Sequence, residues 1–168
     1  MVAVSDKAGR KMRFDEFVCF EATIPELQAA DRDGAITELI AALVSAGKIP
    51  GESAKDVAKA VIKRENEAST GMGKGVAVPH VKHAAVKHVI AAVGQSSGGI
   101  DFASLDEQPV YSVILLISPV NNPDKHLQAM ENVFRHLQKE KFRKFLRQCH
   151  TPAELEDLLQ EADENPSW

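Results

Sequence analysis

The segment from Val110 to Ile117 constrains the fold more than any other part of this chain. Nearly all of its residues are apolar and many are β-branched, which is typical of a strand buried on both faces. Such a strand needs a helical layer on each side of its sheet. The sequence therefore predicts an α/β fold with three layers, α/β/α, in which helices flank a small mixed sheet of four or five strands on both faces.

Helical periodicity and capping signals supply those layers. Ser53 with Asp56 resembles a capping box, and Thr151 with Glu154 forms a second one after which Pro152 occupies the first helical position. Asp31 is placed to cap the first helix. Helices are expected over residues 35–47, 53–66, 121–137, 142–146 and 151–159.

The shorter strands are predicted from breaks in composition. Three glycines at alternate positions, 71, 73 and 75, indicate a loop that feeds a strand at Val76–Val78. Pro79 should end that strand because it lacks a ladder donor, and His80 follows it. A further strand is expected at His88–Val93, and the sequence Ser96-Ser-Gly-Gly is read as a turn.

Length and charge limit the classes of function. The 168 residues suit one domain, expected over residues 14–165 after a polar, flexible leader at residues 1–13. The net charge is −4 and the basic residues are scattered, so nucleic acid is not an expected partner. No apolar stretch indicates a signal peptide or membrane insertion, and Cys19 and Cys149 fit reduced thiols in a cytoplasmic protein.

Common nucleotide, metal and hydrolase motifs do not fit. The glycine loop lacks both the dinucleotide and the Walker spacing, and no G-x-S-x-G sequence is present. A metal site at His80, His83 and His88 stays as an alternative, although no helix aligns their spacing. We expect no cofactor and no metal.

Three residues can carry phosphoryl chemistry. His80 lies after a proline-ended strand, and His126 lies on the apolar stripe of the helix that follows the central strand. A neutral imidazole can attack phosphorus while a second one donates to a phosphoryl oxygen. Arg64 can add a fixed positive charge. The blander alternatives are a loop histidine, a core histidine and a solvated arginine.

The ordered motifs around these residues resemble a known family. Arg64-Glu65, then Ser69-Thr-Gly-Met-Gly-Lys-Gly-Val-Ala-Val-Pro-His80, and then Asp124-Lys-His126-Leu are similar to the fructose/mannitol-type enzyme IIA domain of the bacterial sugar phosphotransferase system. The resemblance extends over roughly residues 18–160. It implies the type-2 IIA fold for the whole domain.

This resemblance implies a role for each candidate residue. His80 would be phosphorylated by the phosphohistidine of an HPr-type carrier, His126 would donate a hydrogen bond to the phosphoryl group, and Arg64 would stabilise its charge. The group would then pass to a IIB domain or act as a regulatory signal on a target protein. Because the sequence ends near the end of the IIA domain, we expect the nitrogen-related branch. The alternative is a regulatory binding module that keeps the fold without obligatory phosphotransfer.

Overall fold

Five helices and five strands form the fold of the computed structural model, which describes residues 11–165. The strands are β1 (Gly71–Gly73), β2 (Val76–Ala77), β3 (His80–Lys82), β4 (Ile90–Ile100) and β5 (Val110–Ser118). The helices are α1 (Arg32–Ser45), α2 (Ala54–Glu67), α3 (Pro123–Leu137), α4 (Glu140–Arg147) and α5 (Pro152–Glu164). Short 3₁₀ turns cover Phe14–Glu16, Phe20–Ala22 and Gly51–Ser53.

Strand β5 lies in the middle of a mixed sheet, as its sequence predicts. Strand β4 runs antiparallel along one edge of β5, with Ile90 opposite Ile117. Strands β2 and β3 run parallel along the other edge, and β1 forms an antiparallel hairpin with β2. The sheet therefore satisfies the backbone of β5 from both sides.

Strands β2 and β3 are two parts of one interrupted strand. Val76 lies opposite Ser112 and His80 lies opposite Leu116, so the register along β5 is unchanged across the break. Pro79 lacks an N–H, but its carbonyl accepts from the Leu116 amide at 2.9 Å. The prediction that the strand ends near Pro79 is confirmed, since β2 ends at Ala77, but the sequence did not predict that pairing resumes at His80.

Two separate hydrophobic cores confirm the three-layer arrangement. On one face of the sheet, Ile114 and Leu116 pack with apolar residues of α3, α4 and α5. On the other face, Val113, Leu115 and Ile117 pack with α1 and α2. Alternate side chains of one strand thus enter different cores, which explains why its sequence is apolar at nearly every position.

Most of the predicted helix starts are present. The side chains of Asp31, Asn122 and Thr151 each accept from a backbone amide in the first turn of their helix. The capping box at Ser53 is wrong, since its side chain makes no cap hydrogen bond. A 3₁₀ turn precedes α2 and leaves Ser53 at φ −93°, ψ −9°, whereas a capping side chain needs extended backbone.

The glycine-rich segments differ from expectation in two places. Residues 96–99 form no turn, because β4 continues to Ile100 through a register shift after Gln95. Gly99, at φ +85°, supplies the left-handed backbone within this irregular stretch. The loop predicted before β2 is partly strand β1, and the tight turn between them uses Lys74 and Gly75 at φ +60° and +82°.

The amino-terminal part of the described chain covers the outer edge of β4. Val18, Ile24 and Asp31 form isolated parallel bridges to β4 and to Asp101 just after it. Residues 1–10 of the predicted leader, residues 1–13, lie outside the described residues. The leader therefore stays a prediction. Within residues 11–165, every helix is too short or too polar to cross a lipid bilayer.

The close approach of Gly71 to Ser104 gives a stability test of the hairpin. A Cβ on Gly71 would lie 3.0 Å from the Ser104 Cα, so backbone must move. We expect Gly71→Ala to lower the free energy of unfolding by about 1–3 kcal/mol, measured by urea denaturation. A Cβ on Gly98 meets nothing within 4 Å, so Gly98→Ala is the matched control, with a change within about 0.5 kcal/mol. Equal losses in both variants would contradict this account.

Candidate active site

His80 begins β3 on the sheet face that packs against α3. The register places it opposite Leu116, and its side chain is partly buried. Its Nδ1 lies 2.8 Å from the carbonyl oxygen of Val78. Because a carbonyl can only accept, Nδ1 must carry the proton, and the lone pair of a neutral ring is left on Nε2.

The electrostatics keep the His80 ring neutral. Burial lowers its pKa below the ordinary 6.5, the hydrogen bond to Val78 opposes that shift, the positive charge of Arg64 lowers the pKa further and Glu65 raises it. The net direction is downward. Near neutral pH, Nε2 is therefore an unprotonated nitrogen.

His126 supplies a second imidazole from α3. The ring centroids of His80 and His126 are 5.8 Å apart, although the two residues are far apart in the sequence. Nδ1 of His126 lies 2.6 Å from the Ser118 hydroxyl at the end of β5. Burial, followed by the charges of His80 and Lys82, lowers the pKa of His126 to about 4. This ring is therefore also neutral at physiological pH.

Arg64 reaches the same region from the last turn of α2. Its guanidinium donates to the Ala68 carbonyl at 3.1 Å, which holds it against the end of its own helix. Its positive charge is one of the causes that lower the pKa of His80. The remaining N–H groups of a guanidinium can bind an anion next to the imidazoles.

Glu65, next to Arg64 in the sequence, does not lie on the solvated face of α2. Its side chain is 2% exposed. Its carboxylate accepts from the Thr70 amide at 3.1 Å and from the Thr70 hydroxyl. These bonds tie the end of α2, and with it Arg64, to the start of the hairpin that leads to His80.

The other candidate histidines lie apart from this pair. Nε2 of His83 lies 2.7 Å from an Asp56 oxygen in the first turn of α2, and its Nδ1 accepts from the Ala85 amide at 2.9 Å. His88 is exposed. Across residues 11–165, no three His, Cys, Asp or Glu side chains are grouped so that they can hold a metal ion.

The geometry thus combines one nucleophilic nitrogen, a second neutral imidazole and one fixed positive charge. Such a set can bind a tetrahedral dianion and exchange it between nitrogen atoms. Sequence reasoning missed Ser118, Glu65 and the Val78 carbonyl. Only Ser118 had a usable signal, since it is a polar residue at the carboxyl end of a buried strand, where α/β folds place their sites.

Comparison with known proteins shows which family the chain belongs to. The sequence profile described as "Phosphoenolpyruvate-dependent sugar phosphotransferase system, EIIA 2" matches residues 18–162. The chain belongs to this family. The match includes α1 to α4, all five strands and most of α5.

Relatives of this EIIA 2 chain include both sugar-transport and regulatory proteins. It is 33% identical over 135 residues to a fructose-specific EIIA component of Haloferax volcanii, covering 80% of this chain and 86% of the relative. It is 32% identical over 136 residues to a nitrogen regulatory protein of Bradyrhizobium diazoefficiens, covering 81% and 87%. A fructose-specific EIIABC component of Bacillus subtilis is 29% identical over 90% of this chain, which spans only 24% of that larger protein.

Solved structures of EIIA proteins share the fold. The nitrogen regulatory protein IIA-Ntr from Neisseria meningitidis superposes with a TM-score of 0.76 at 24% identity, covering 86% of this chain and 97% of that one. The mannitol IIA protein of Escherichia coli gives 0.68 at 24% identity, covering 83% and 96%.

The lowered pKa of His126 predicts a pH-dependent loss of stability. Between pH 6.5 and about 4 the unfolded chain binds a proton that the folded chain does not, so the free energy of unfolding falls as pH falls. For this residue the loss across the window is about 3 kcal/mol. Between pH 7 and pH 4, the free energy of unfolding of His126→Gln, measured by urea denaturation, should therefore fall by about 3 kcal/mol less than that of the wild type. Equal losses in both proteins would contradict the prediction.

Proposed function

We propose that this protein is a phosphoryl carrier that accepts a phosphoryl group on Nε2 of His80 from the phosphohistidine of an HPr-type carrier protein. The observation that carries the proposal is the hydrogen bond from His80 Nδ1 to the Val78 carbonyl. It leaves Nε2 with a free lone pair, and the lowered pKa of the ring keeps that nitrogen unprotonated near neutral pH. Membership of the EIIA 2 family supports the same assignment.

The transfer needs no proton to move within this chain. The Nε2 lone pair forms the new N–P bond while the N–P bond of the donor breaks and its electron pair returns to the donor imidazole. When the other nitrogen of the donor ring carries a proton, that ring leaves as neutral imidazole. His80 keeps its Nδ1 proton, so the product is a phosphorylated imidazolium whose N–H donates to Val78. The onward transfer is the same kind of step, with phosphorylated His80 as the donor.

The two neighbouring groups would stabilise the transferred charge. His126 would donate to a phosphoryl oxygen, and Arg64 would balance negative charge on the equatorial oxygens. Both rings are neutral beforehand, so Nε2 of His80 keeps the lone pair that attacks phosphorus. No metal or cofactor is part of this scheme, because the phosphoimidazole itself carries the transfer potential.

The acceptor of the group would be a IIB domain or a regulated protein. One structural neighbour, the mannitol IIA protein, is described as a complex with phosphorylated IIB of Escherichia coli. Two apolar side chains near His126 in the sequence, Val120 and Leu127, are exposed. They offer a contact surface next to the site. Such an apolar surface beside the site suits contact with two successive protein partners.

Phosphorylation can be tested directly. Incubation with phosphoenolpyruvate and the general phosphotransferase proteins should add the mass of one phosphoryl group, labile in acid and stable in base, detected by intact-protein mass spectrometry. His80→Ala should abolish the gain, because the nucleophile is lost. His83→Ala is the control and should keep it, since His83 pairs with Asp56. A full gain in His80→Ala, or none in the wild type, would overturn the proposal.

The charge of Arg64 should matter for the rate. We expect Arg64→Gln to slow phosphorylation by roughly 100-fold, and Arg64→Lys by about tenfold because it keeps the charge without the forked donors. Lys63→Gln removes the neighbouring exposed cation and is the matched control, with a change within about twofold. Quenched-flow measurement of the phosphorylated fraction gives all three rates. Equal slowing by Lys63→Gln would show a general charge effect only.

A second candidate is a regulatory module of the nitrogen-related branch. It is favoured by the nitrogen regulatory proteins among the relatives, at 30–32% identity. In that case a partner would bind wild type and His80→Ala equally, and any phosphate would act as an added charge of about −2. Binding titrations of the partner with phosphorylated wild type, unphosphorylated wild type and His80→Ala test this. Equal binding of unphosphorylated wild type and His80→Ala favours the regulatory module over an obligatory carrier.

A further inference from the structure

Ser118 is the buried polar residue nearest the imidazole pair. It ends β5, is 0% exposed, and its hydroxyl lies 2.6 Å from Nδ1 of His126. Its position is fixed from two sides: Lys82 lies opposite it in the parallel ladder, and its carbonyl accepts from the His83 amide at 2.8 Å. The hydroxyl therefore meets the ring from a rigid backbone that solvent does not reach.

We propose that Ser118 is a positioning residue that selects the Nε2–H tautomer of His126 by donating its hydroxyl proton to Nδ1. This rests on the proposed function, and it assigns a role within the same site. A neutral imidazole has one donor and one acceptor nitrogen, and a hydroxyl can take either role towards Nδ1, so the role that Ser118 takes sets the tautomer. With Nδ1 accepting from Ser118, the proton must be on Nε2.

The choice of tautomer reverses the sign of the interaction with a phosphoryl group. In the Nε2–H form, the ring can donate to a phosphoryl oxygen carried by His80. In the Nδ1–H form, Nε2 would present a lone pair to an anion, and the ring would repel the group it should stabilise. Ser118 thus determines whether His126 helps or hinders transfer, without touching the phosphoryl group itself.

The same hydroxyl also suits the charged state of the ring. A dianion on His80 favours the protonated form of His126, opposing the burial that lowers its pKa. In that state both ring nitrogens are donors, and a serine hydroxyl can rotate to accept from Nδ1. An aliphatic side chain could form a hydrogen bond with neither the neutral nor the protonated ring. A carboxylate would stabilise the protonated ring.

The central strand offers a matched control for the test. Ser112 is also buried, at 2% exposure, and its hydroxyl donates to the Gln95 side-chain oxygen at 2.6 Å. It lies near the opposite end of β5, away from both imidazoles. Ser112→Ala therefore removes a buried serine hydrogen bond of equal length from the same strand without changing the site.

The experiment measures first the tautomer of His126 and then the rate of phosphorylation. Nitrogen-15 NMR of the His126 ring at pH 7 should show the Nε2–H form in wild type, Ser112→Ala and Ser118→Thr, and a mixture of both tautomers in Ser118→Ala. The phosphorylation rate of Ser118→Ala should fall about tenfold, the effect of one misdirected hydrogen bond, and Ser118→Thr should restore it. Ser112→Ala should stay within about twofold of wild type.

Each outcome is decisive. An Nδ1–H ring in the wild type, which needs no variant to be measured, overturns the proposal, as does an unchanged tautomer in Ser118→Ala. A changed tautomer with an unchanged rate overturns the role in transfer. Should no protein become phosphorylated while Ser118→Ala still alters the tautomer, the proposed function fails and the assignment of Ser118 as the tautomer-selecting residue stands.

Discussion

The pairing of residues 76–82 with β5 is the constraint on which the site depends. It sets His80 opposite Leu116, two residues before Ser118, and so puts the two imidazoles on one face of the sheet. A slip of one residue would turn His80 towards the core under α1 and α2, because side chains alternate between faces. The buried residues on both sides of β5 make such a slip costly, so the packing of the core also fixes the geometry of the site.

The elements that the sequence predicts well are those whose signal is local. The apolar run at Val110–Ile117, the Asp31 cap and the proline at the start of α3 depend on neighbours within a few positions. The failure at residues 96–99 and the unpredicted strand at His80 have a tertiary cause. The long partner β5 pairs again with β4 at Ile100 after a register shift, and with β3 in the register of β2, beyond residues that would end a strand in isolation.

The sequence likewise predicts only part of the candidate site. His80, His126 and Arg64 follow from motif and position, and the structure brings the two rings within 5.8 Å. Glu65 could not be assigned correctly, because a charged residue next to Arg64 has the pattern of a solvated face until its partner, Thr70, is known. The low pKa values could not be predicted at all, since burial is their main cause and is a property of the assembled layers.

The Val78 carbonyl illustrates a wider point about sites of this kind. Its bond to His80 spans only two residues of the chain, so the identity of the reactive nitrogen is encoded by adjacent backbone and requires no distant side chain. Any electrophile that reaches the ring meets the same atom. If His80 carries the phosphoryl group as proposed, substitutions around the site would alter which proteins dock there while the reacting nitrogen stays the same, and new partners would evolve without rebuilding the nucleophile.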